Sequence, residues 1–169
     1  MTASSESSPS SGSASPVSYG TDAFADAART MAAQHKNGTG PVVVLHGGTR
    51  EHRQQALATL TRYAAGNIHQ FRMPALLNER RMDTQNNLRK AFDHAAEEDA
   101  LLFFDATDAL FSHTPSTPID QEGDAEPTVQ EYFFERVTAH PGLVLLGAHD
   151  AQWADACVER GAHHIVKFD

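Results

Sequence analysis

The stretch "ALLFFDATDALF" (residues 100–111) decides the fold that the sequence predicts. A continuous apolar run leads into Asp105, and runs of this kind are typical of strands buried on both faces of a parallel sheet. Ligands of such sheets bind at the carboxyl ends of the strands. The stretch therefore predicts a buried strand that carries Asp105 at its carboxyl end, where a ligand site would lie.

Four further segments have strand character, and they alternate with segments of helical periodicity. The strand candidates are "PVVVL", "NIHQFRM", "GLVLLGA" and "HHIVKF", and the helical ones cover residues 21–38, 50–66, 86–98, 128–140 and 151–162. Alternating strands and helices favour a parallel sheet covered on both faces. We therefore predict an α/β fold, a three-layer α/β/α sandwich with a five-stranded parallel sheet.

Length and composition indicate one domain preceded by a tail. The chain has 169 residues, of which 40% are hydrophobic, enough for one core. Residues 1–20 are rich in Ser with Pro and Gly, and they lack the apolar region of a secretory signal. Such a composition buries too little apolar surface to offset the entropy cost of ordering. We expect a disordered tail at residues 1–20 and a folded core at residues 21–169.

The charge balance argues against two classes of partner. Thirteen Lys and Arg residues face 22 acidic residues, and the formal net charge is −9. Such a chain repels nucleic acid and anionic lipid, so neither is expected as a partner. The single cysteine, Cys157, excludes an internal disulfide and suits a reducing cytoplasm. No apolar run approaches the length of a membrane span.

Several stretches together resemble the core of AAA+ ATPases over residues 41–168, in the right order. They are "VVVLHGGTREHRQQALATL", "NNLRKAFDHA", "ALLFFDATDALF", "GLVLLGAHD" and "DACVERGAHHIVKF". The segment that begins at Asp105 looks like the family's "DEADALF". The resemblance implies a P-loop NTPase fold of AAA+ type with a nucleotide site at the carboxyl edge of the sheet. The printed sequence ends at Asp169, so it also implies a core without the family's C-terminal helical lid.

The phosphate-loop pattern G-x-x-x-x-G-K-[ST] falls on residues 47–54, and most of its functional groups are replaced. The loop needs Gly for backbone freedom, Lys for the outer phosphates and a hydroxyl for magnesium. Gly47 matches and Gly48 follows it, but His52, Arg53 and Gln54 stand where the family has Gly, Lys and Ser or Thr. The five residues therefore form a vestigial cofactor site, and no cofactor is expected.

The catalytic positions implied by the resemblance are degenerate as well. Asp105 matches the metal-supporting carboxylate, but Ala106 replaces the glutamate that polarises water. His149 stands at the sensor position, where the family usually has Asn. Arg160 resembles one of the arginines that the family inserts into a neighbouring subunit, and a surface arginine is an equal alternative. We treat Asp105, His149 and Arg160 as vestigial catalytic residues.

These positions lead to a functional hypothesis and one alternative. The hypothesis is a catalytically inactive AAA+-like domain that serves as a structural or regulatory interaction module. Its partner would be itself or an AAA+ homologue, because AAA+ cores usually assemble side by side. The alternative is a weak or unorthodox ATPase that binds ATP and magnesium, in which Arg53 does part of the lysine's work and His149 helps to position water.

A metal site at the same sheet edge is a further possibility raised by the ten histidines. His46, His52, His149 and Asp105 would approach one another there if the resemblance holds. The sequence contains no H-x₃-H pair, however, and most histidines in proteins are solvated or satisfied locally. We therefore predict no metal site.

Overall fold

The computed structural model describes residues 16–38, 40–112 and 128–168. Its strands are β1 (Pro16–Ser18), β2 (Val42–Gly47), β3 (Ile68–Arg72), β4 (Leu101–Asp105), β5 (Val144–Ala148) and β6 (His164–Phe168). Its helices are α1 (Asp22–Lys36), α2 (Arg50–Ala64), α3 (Met73–Leu76), α4 (Arg81–Glu97), α5 (Asp108–Ser112), α6 (Val129–Ala139) and α7 (Ala151–Glu159). Most of the predicted tail, residues 1–15, lies outside the described residues, as do residues 113–127 between α5 and α6.

All described strands are parallel and form one sheet in the order β1-β6-β2-β5-β4-β3. The α/β prediction and the parallel sheet are confirmed. The strand number is wrong by one, because Pro16–Ser18 pairs with Ile165–Lys167 inside the segment that we assigned to the tail. A three-residue strand has no periodicity to reveal it, and its pairing with β6 comes from the tertiary structure.

The sheet is covered on both faces, as a three-layer sandwich requires. On one face, the buried side chains of α1 and α2 pack with Val43, Leu45 and Phe103. On the other, those of α4, α6 and α7 pack with Val44, Leu102 and others of the same strands. Neighbouring strand residues thus point to opposite faces and are buried on both, which explains why these strands are continuously apolar.

Three helices, α1, α2 and α6, start at a threonine whose side chain caps the helix. Thr21 accepts a hydrogen bond from the amide of Phe24 at the start of α1. Thr128 and Glu131 form a reciprocal capping box at the start of α6. Among the described helices, none combines the length and the apolar character needed to cross a membrane.

Candidate functional site

The loop between β2 and α2, at the position of the family's phosphate loop, is a tight turn. Gly47 and Gly48 have φ values of +83° and +71°, a region that favours glycine. Thr49 caps α2 directly afterwards: its hydroxyl accepts from the amide of His52 at 3.1 Å, and its own amide donates to Nδ1 of His52 at 3.5 Å. His52 thus belongs to a capping box.

Phe168 packs against this turn from the end of β6. A Cβ atom added to Gly48 would lie 2.5 Å from the Cβ of Phe168, closer than the two atoms can approach. The imidazole of His52 stacks on the same phenyl ring, with ring centroids 6.4 Å apart and planes at 9°. An aromatic side chain therefore closes one side of the glycine turn.

The side chain of Arg53 folds back from α2 beneath the turn. Its guanidinium donates from one terminal nitrogen to the carbonyl oxygens of Gly47 and Gly48, at 3.1 Å each. The opposite side of the fork faces the carboxylate of Asp105: Nε lies 3.2 Å from Oδ1, and the second terminal nitrogen donates to Oδ2 at 3.5 Å. The contact at Nε is a close ion pair without hydrogen-bond alignment.

This ion pair is largely removed from water. The side chains of Arg53 and Asp105 are 5% and 13% exposed. Charges in such a position are stable only when they are paired and hydrogen-bonded, and a forked guanidinium meets a carboxylate at two points. The two family positions that would contact phosphate and metal therefore neutralise each other.

Asp105 has additional local contacts. Its Oδ1 accepts from the amide of Ala106 at 2.9 Å, and Ala106 has a left-handed φ of +56°. A Cβ atom on Gly147 of the neighbouring strand would lie 2.5 Å from Oδ1, so the carboxylate occupies space that only glycine leaves free. Contacts with Arg53, with the amide of Ala106 and with Gly147 thus fix the orientation of the Asp105 carboxylate.

Asp108 ties the β4–α5 turn to the β5–α7 turn. Its carboxylate accepts from the amides of His149, at 2.9 and 3.1 Å, and Asp150, at 3.0 Å. Asp108 therefore fixes the backbone of His149, which stands at the predicted sensor position, while His149 itself is exposed. The negative charge also lies favourably at the start of α7.

Two other predicted site residues are engaged elsewhere within the chain. Gln54 donates from its side-chain amide to that of Gln70 on β3 at 2.8 Å. The guanidinium of Arg160 lies over the rings of Phe111 and Phe134, at 5.7 and 5.6 Å, and donates to Gln130 at 3.4 Å. Its aromatic contacts hold the arginine against its own domain.

The structure does not gather His46, His52, His149 and Asp105 into a metal site. Of the described residues, these four form no group of three or more ligand atoms at metal-binding separations. A cavity of about 550 Å³ does lie at the sheet, but it is at the opposite edge, lined by residues that precede strands such as Asn67, Ala100 and Gly142.

The strand order matches a P-loop-like fold of AAA+ type: β2, β5 and β4 are adjacent and parallel, and their carboxyl ends carry Gly47, Ala148 and Asp105. Comparison with solved structures agrees. The chain is similar to a crystal structure described as the FIGL-1 AAA domain in complex with ADP, with a TM-score of 0.64 and 16% sequence identity over 88% of this chain. It spans 53% of that chain, and at this identity the likeness shows the fold alone.

Comparisons by sequence return a different result from the comparison by structure. No protein-family model matches the chain, and no curated protein does. The chain therefore shares the backbone architecture of an AAA domain without a sequence match to a family model or to a curated protein.

Sequence reasoning missed the role of two residues at this edge. Thr49 had no assigned role, although a threonine just before a helix is a frequent N-cap. The resemblance places Arg53 at the lysine position, where the alternative hypothesis gives it part of the lysine's work, and it does not predict the pair with Asp105. The available signal was its length: a guanidinium on three methylenes has five donors and can satisfy carbonyls and a carboxylate at once.

Proposed function

We propose that this chain is a nucleotide-independent AAA+-like domain that works as a structural or regulatory interaction module. The observation that carries the proposal is the Arg53 and Asp105 pair beneath the Gly47–Gly48 turn. In a working phosphate loop, backbone amides and a lysine face the triphosphate, and a nearby carboxylate supports magnesium. Here those roles are replaced by an internal ion pair.

Binding of MgATP would have to break this arrangement. Arg53 would leave two carbonyls and a carboxylate that are otherwise shielded from water, and the turn would lose the contacts that shape it. Breaking a buried ion pair by removing one partner costs about 3 to 5 kcal/mol. An affinity lowered by the whole of that amount would fall by a factor of about 10² to 10³·⁵, which is an upper limit because phosphate and magnesium would pair again with the two charges.

Hydrolysis would face a second obstacle. Ala106 has no group that accepts a proton, and the carboxylate of Asp108 is already used by two backbone amides. Loss of a general base costs about 10² to 10⁴ in rate. These contacts support the non-catalytic part of the proposal.

The interaction part of the proposal rests on the AAA+ architecture. Domains of this type usually assemble side by side, so the partner we propose is a second copy of this chain or an AAA+ homologue. Size-exclusion chromatography with light scattering, with and without an AAA+ protein of the same source, would detect such an assembly. A chain that remains monomeric at all concentrations and captures no homologue would contradict this part.

The experiment that tests nucleotide independence is calorimetric titration of the full chain with MgATP, accompanied by thermal unfolding at millimolar nucleotide. We expect no binding tighter than millimolar and no change in melting temperature, because a ligand stabilises only in proportion to its occupancy. Micromolar binding, or ATP turnover abolished by Arg53→Met, would refute the proposal and favour the alternative of an unorthodox ATPase.

A further inference from the structure

Three potential metal ligands meet near the amino ends of strands β3 and β4, opposite to the carboxyl ends that carry the predicted nucleotide positions. His69 is the second residue of β3, the last strand at one side of the sheet. His94 and Glu98 lie at the end of α4, just before β4 begins. Residues four apart share one face of a helix, so both side chains turn toward the start of β3.

The distances among these side chains match those within a coordination sphere. Nε2 of His69 lies 2.9 Å from Oε1 of Glu98, and Nε2 of His94 lies 3.4 Å from Oε2. All three ligand atoms fall within 4.8 Å of one another. In tetrahedral zinc sites, with Zn–N of about 2.0–2.1 Å, neighbouring ligand atoms are about 3.3 Å apart, so small side-chain movements suffice.

We propose that His69, His94 and Glu98 bind a divalent transition metal ion, of which zinc best fits the ligand types. Two imidazoles and one carboxylate are a ligand set that zinc uses with a fourth position left to water. The side chains of His94 and Glu98 are 62% and 45% exposed, which gives the ion access from solvent. His69 is 17% exposed and anchors the group.

The surroundings favour a dication. Glu98 contributes one negative charge to the ligand set, and the chain as a whole carries a net charge of −9. The rings of His69 and His94 lie with centroids 5.0 Å apart and planes at 32°, so both Nε2 atoms already face the same carboxylate. Each imidazole would present its Nε2 lone pair to the metal by carrying its proton on Nδ1.

The consequence for the fold is a link between an edge strand and the end of a helix. β3 pairs only with β4 among the described strands, and its outer edge is open. A metal held by His69 on β3 and by two ligands on α4 would hold this strand against the helix. This inference concerns the other edge of the sheet and does not depend on the proposed function.

The test uses the full chain, produced without a histidine tag and stripped with EDTA. Titration with zinc against a chromophoric chelator should show one ion per chain with about micromolar affinity, weaker than closed four-ligand sites. His94→Ala and Glu98→Gln should each weaken binding at least about 10-fold, since even outer-shell partners contribute 10- to 100-fold. Zinc at 100 times its Kd should raise the melting temperature by about 5 to 10 °C.

Glu97→Gln is the matched control for Glu98→Gln, because it removes the charge of the neighbouring exposed glutamate on α4 and should leave zinc affinity unchanged. His94→Ala should unfold at the same temperature as the parent without zinc, since its side chain is mostly exposed. Zinc binding weaker than about 100 μM in the parent, or equal affinity in parent and His94→Ala, would overturn the assignment. Loss of zinc binding in His149→Ala but not in His94→Ala would also overturn the assignment, because the ion would then lie at the carboxyl ends of the strands.

Discussion

Replacement of Arg53 by methionine should destabilise the fold strongly. The substitution keeps the unbranched stem but removes the charge, leaving the carboxylate of Asp105, 13% exposed, with the amide of Ala106 and without its ion pair. It also removes both hydrogen bonds to the Gly47 and Gly48 carbonyls. Breaking a buried pair costs about 3 to 5 kcal/mol, and the lower end applies because Asp105 retains some access to water.

The measurements are equilibrium unfolding in urea and thermal unfolding, both monitored by circular dichroism. A loss of about 3 kcal/mol corresponds to a melting temperature lower by about 6 to 12 °C in a domain of this size. Arg50→Met is the control, since it makes the same change at an exposed position on the same helix and should stay within about 0.5 kcal/mol.

A double-mutant cycle separates the pair from its surroundings. In Arg53→Met/Asp105→Asn, no charge remains to be desolvated, so the double variant should lose less than the sum of the single variants, by about 1 to 3 kcal/mol. If Arg53→Met costs no more than Arg50→Met, or if the two changes are additive, the pair does not hold the turn. The argument that it excludes nucleotide would then fail as well.

Three further results are expected. Gly48→Ala should lower the free energy of unfolding in urea by about 1 to 3 kcal/mol more than Gly38→Ala. Both glycines have positive φ, but only a Cβ atom at Gly48 would overlap Phe168, at 2.5 Å. Equal losses in the two variants would show that the turn moves aside. Burial raises the pKa of Cys157 to about 12, helped by a nearby aspartate, so its thiol should react with a disulfide reagent at pH 8 only as the chain unfolds, and rapid native labelling would refute this. Burial, reinforced by nearby His and Arg charges, lowers the pKa of His140 below its ordinary value of 6.5. Neutral His140 therefore contributes its full stability above pH 6.5, and this contribution is lost as the pH falls toward the folded-state pKa. The melting temperature should drop on acidification, and the drop should be smaller in His140→Gln.

The main elements of the fold were readable from local sequence. The strands "VVVL", "LLFF" and "LVLL" are continuously apolar because both faces of the sheet are covered. This pattern can be recognised in the sequence without knowing which elements pack against the strands. The five longer helices were predicted through periodicity, which also acts over a few residues, whereas the short helices α3 and α5 were not predicted. The placement of Gly47, Asp105 and His149 at one edge followed from the parallel topology alone.

The roles of the site residues depended on contacts across the chain. Arg53 and Asp105 are separated by 52 positions, and nothing local indicates that the guanidinium turns back toward the carboxylate rather than toward solvent. The strand Pro16–Ser18 exists only through its pairing with β6, and the side chains of His69, His94 and Glu98 meet only because β3 lies beside the end of α4. Sequence periodicity determines which elements form and which faces are buried, because those preferences act within a few residues. The partners of long polar side chains depend on distances and on desolvation, and both are set only when the layers of the fold are packed.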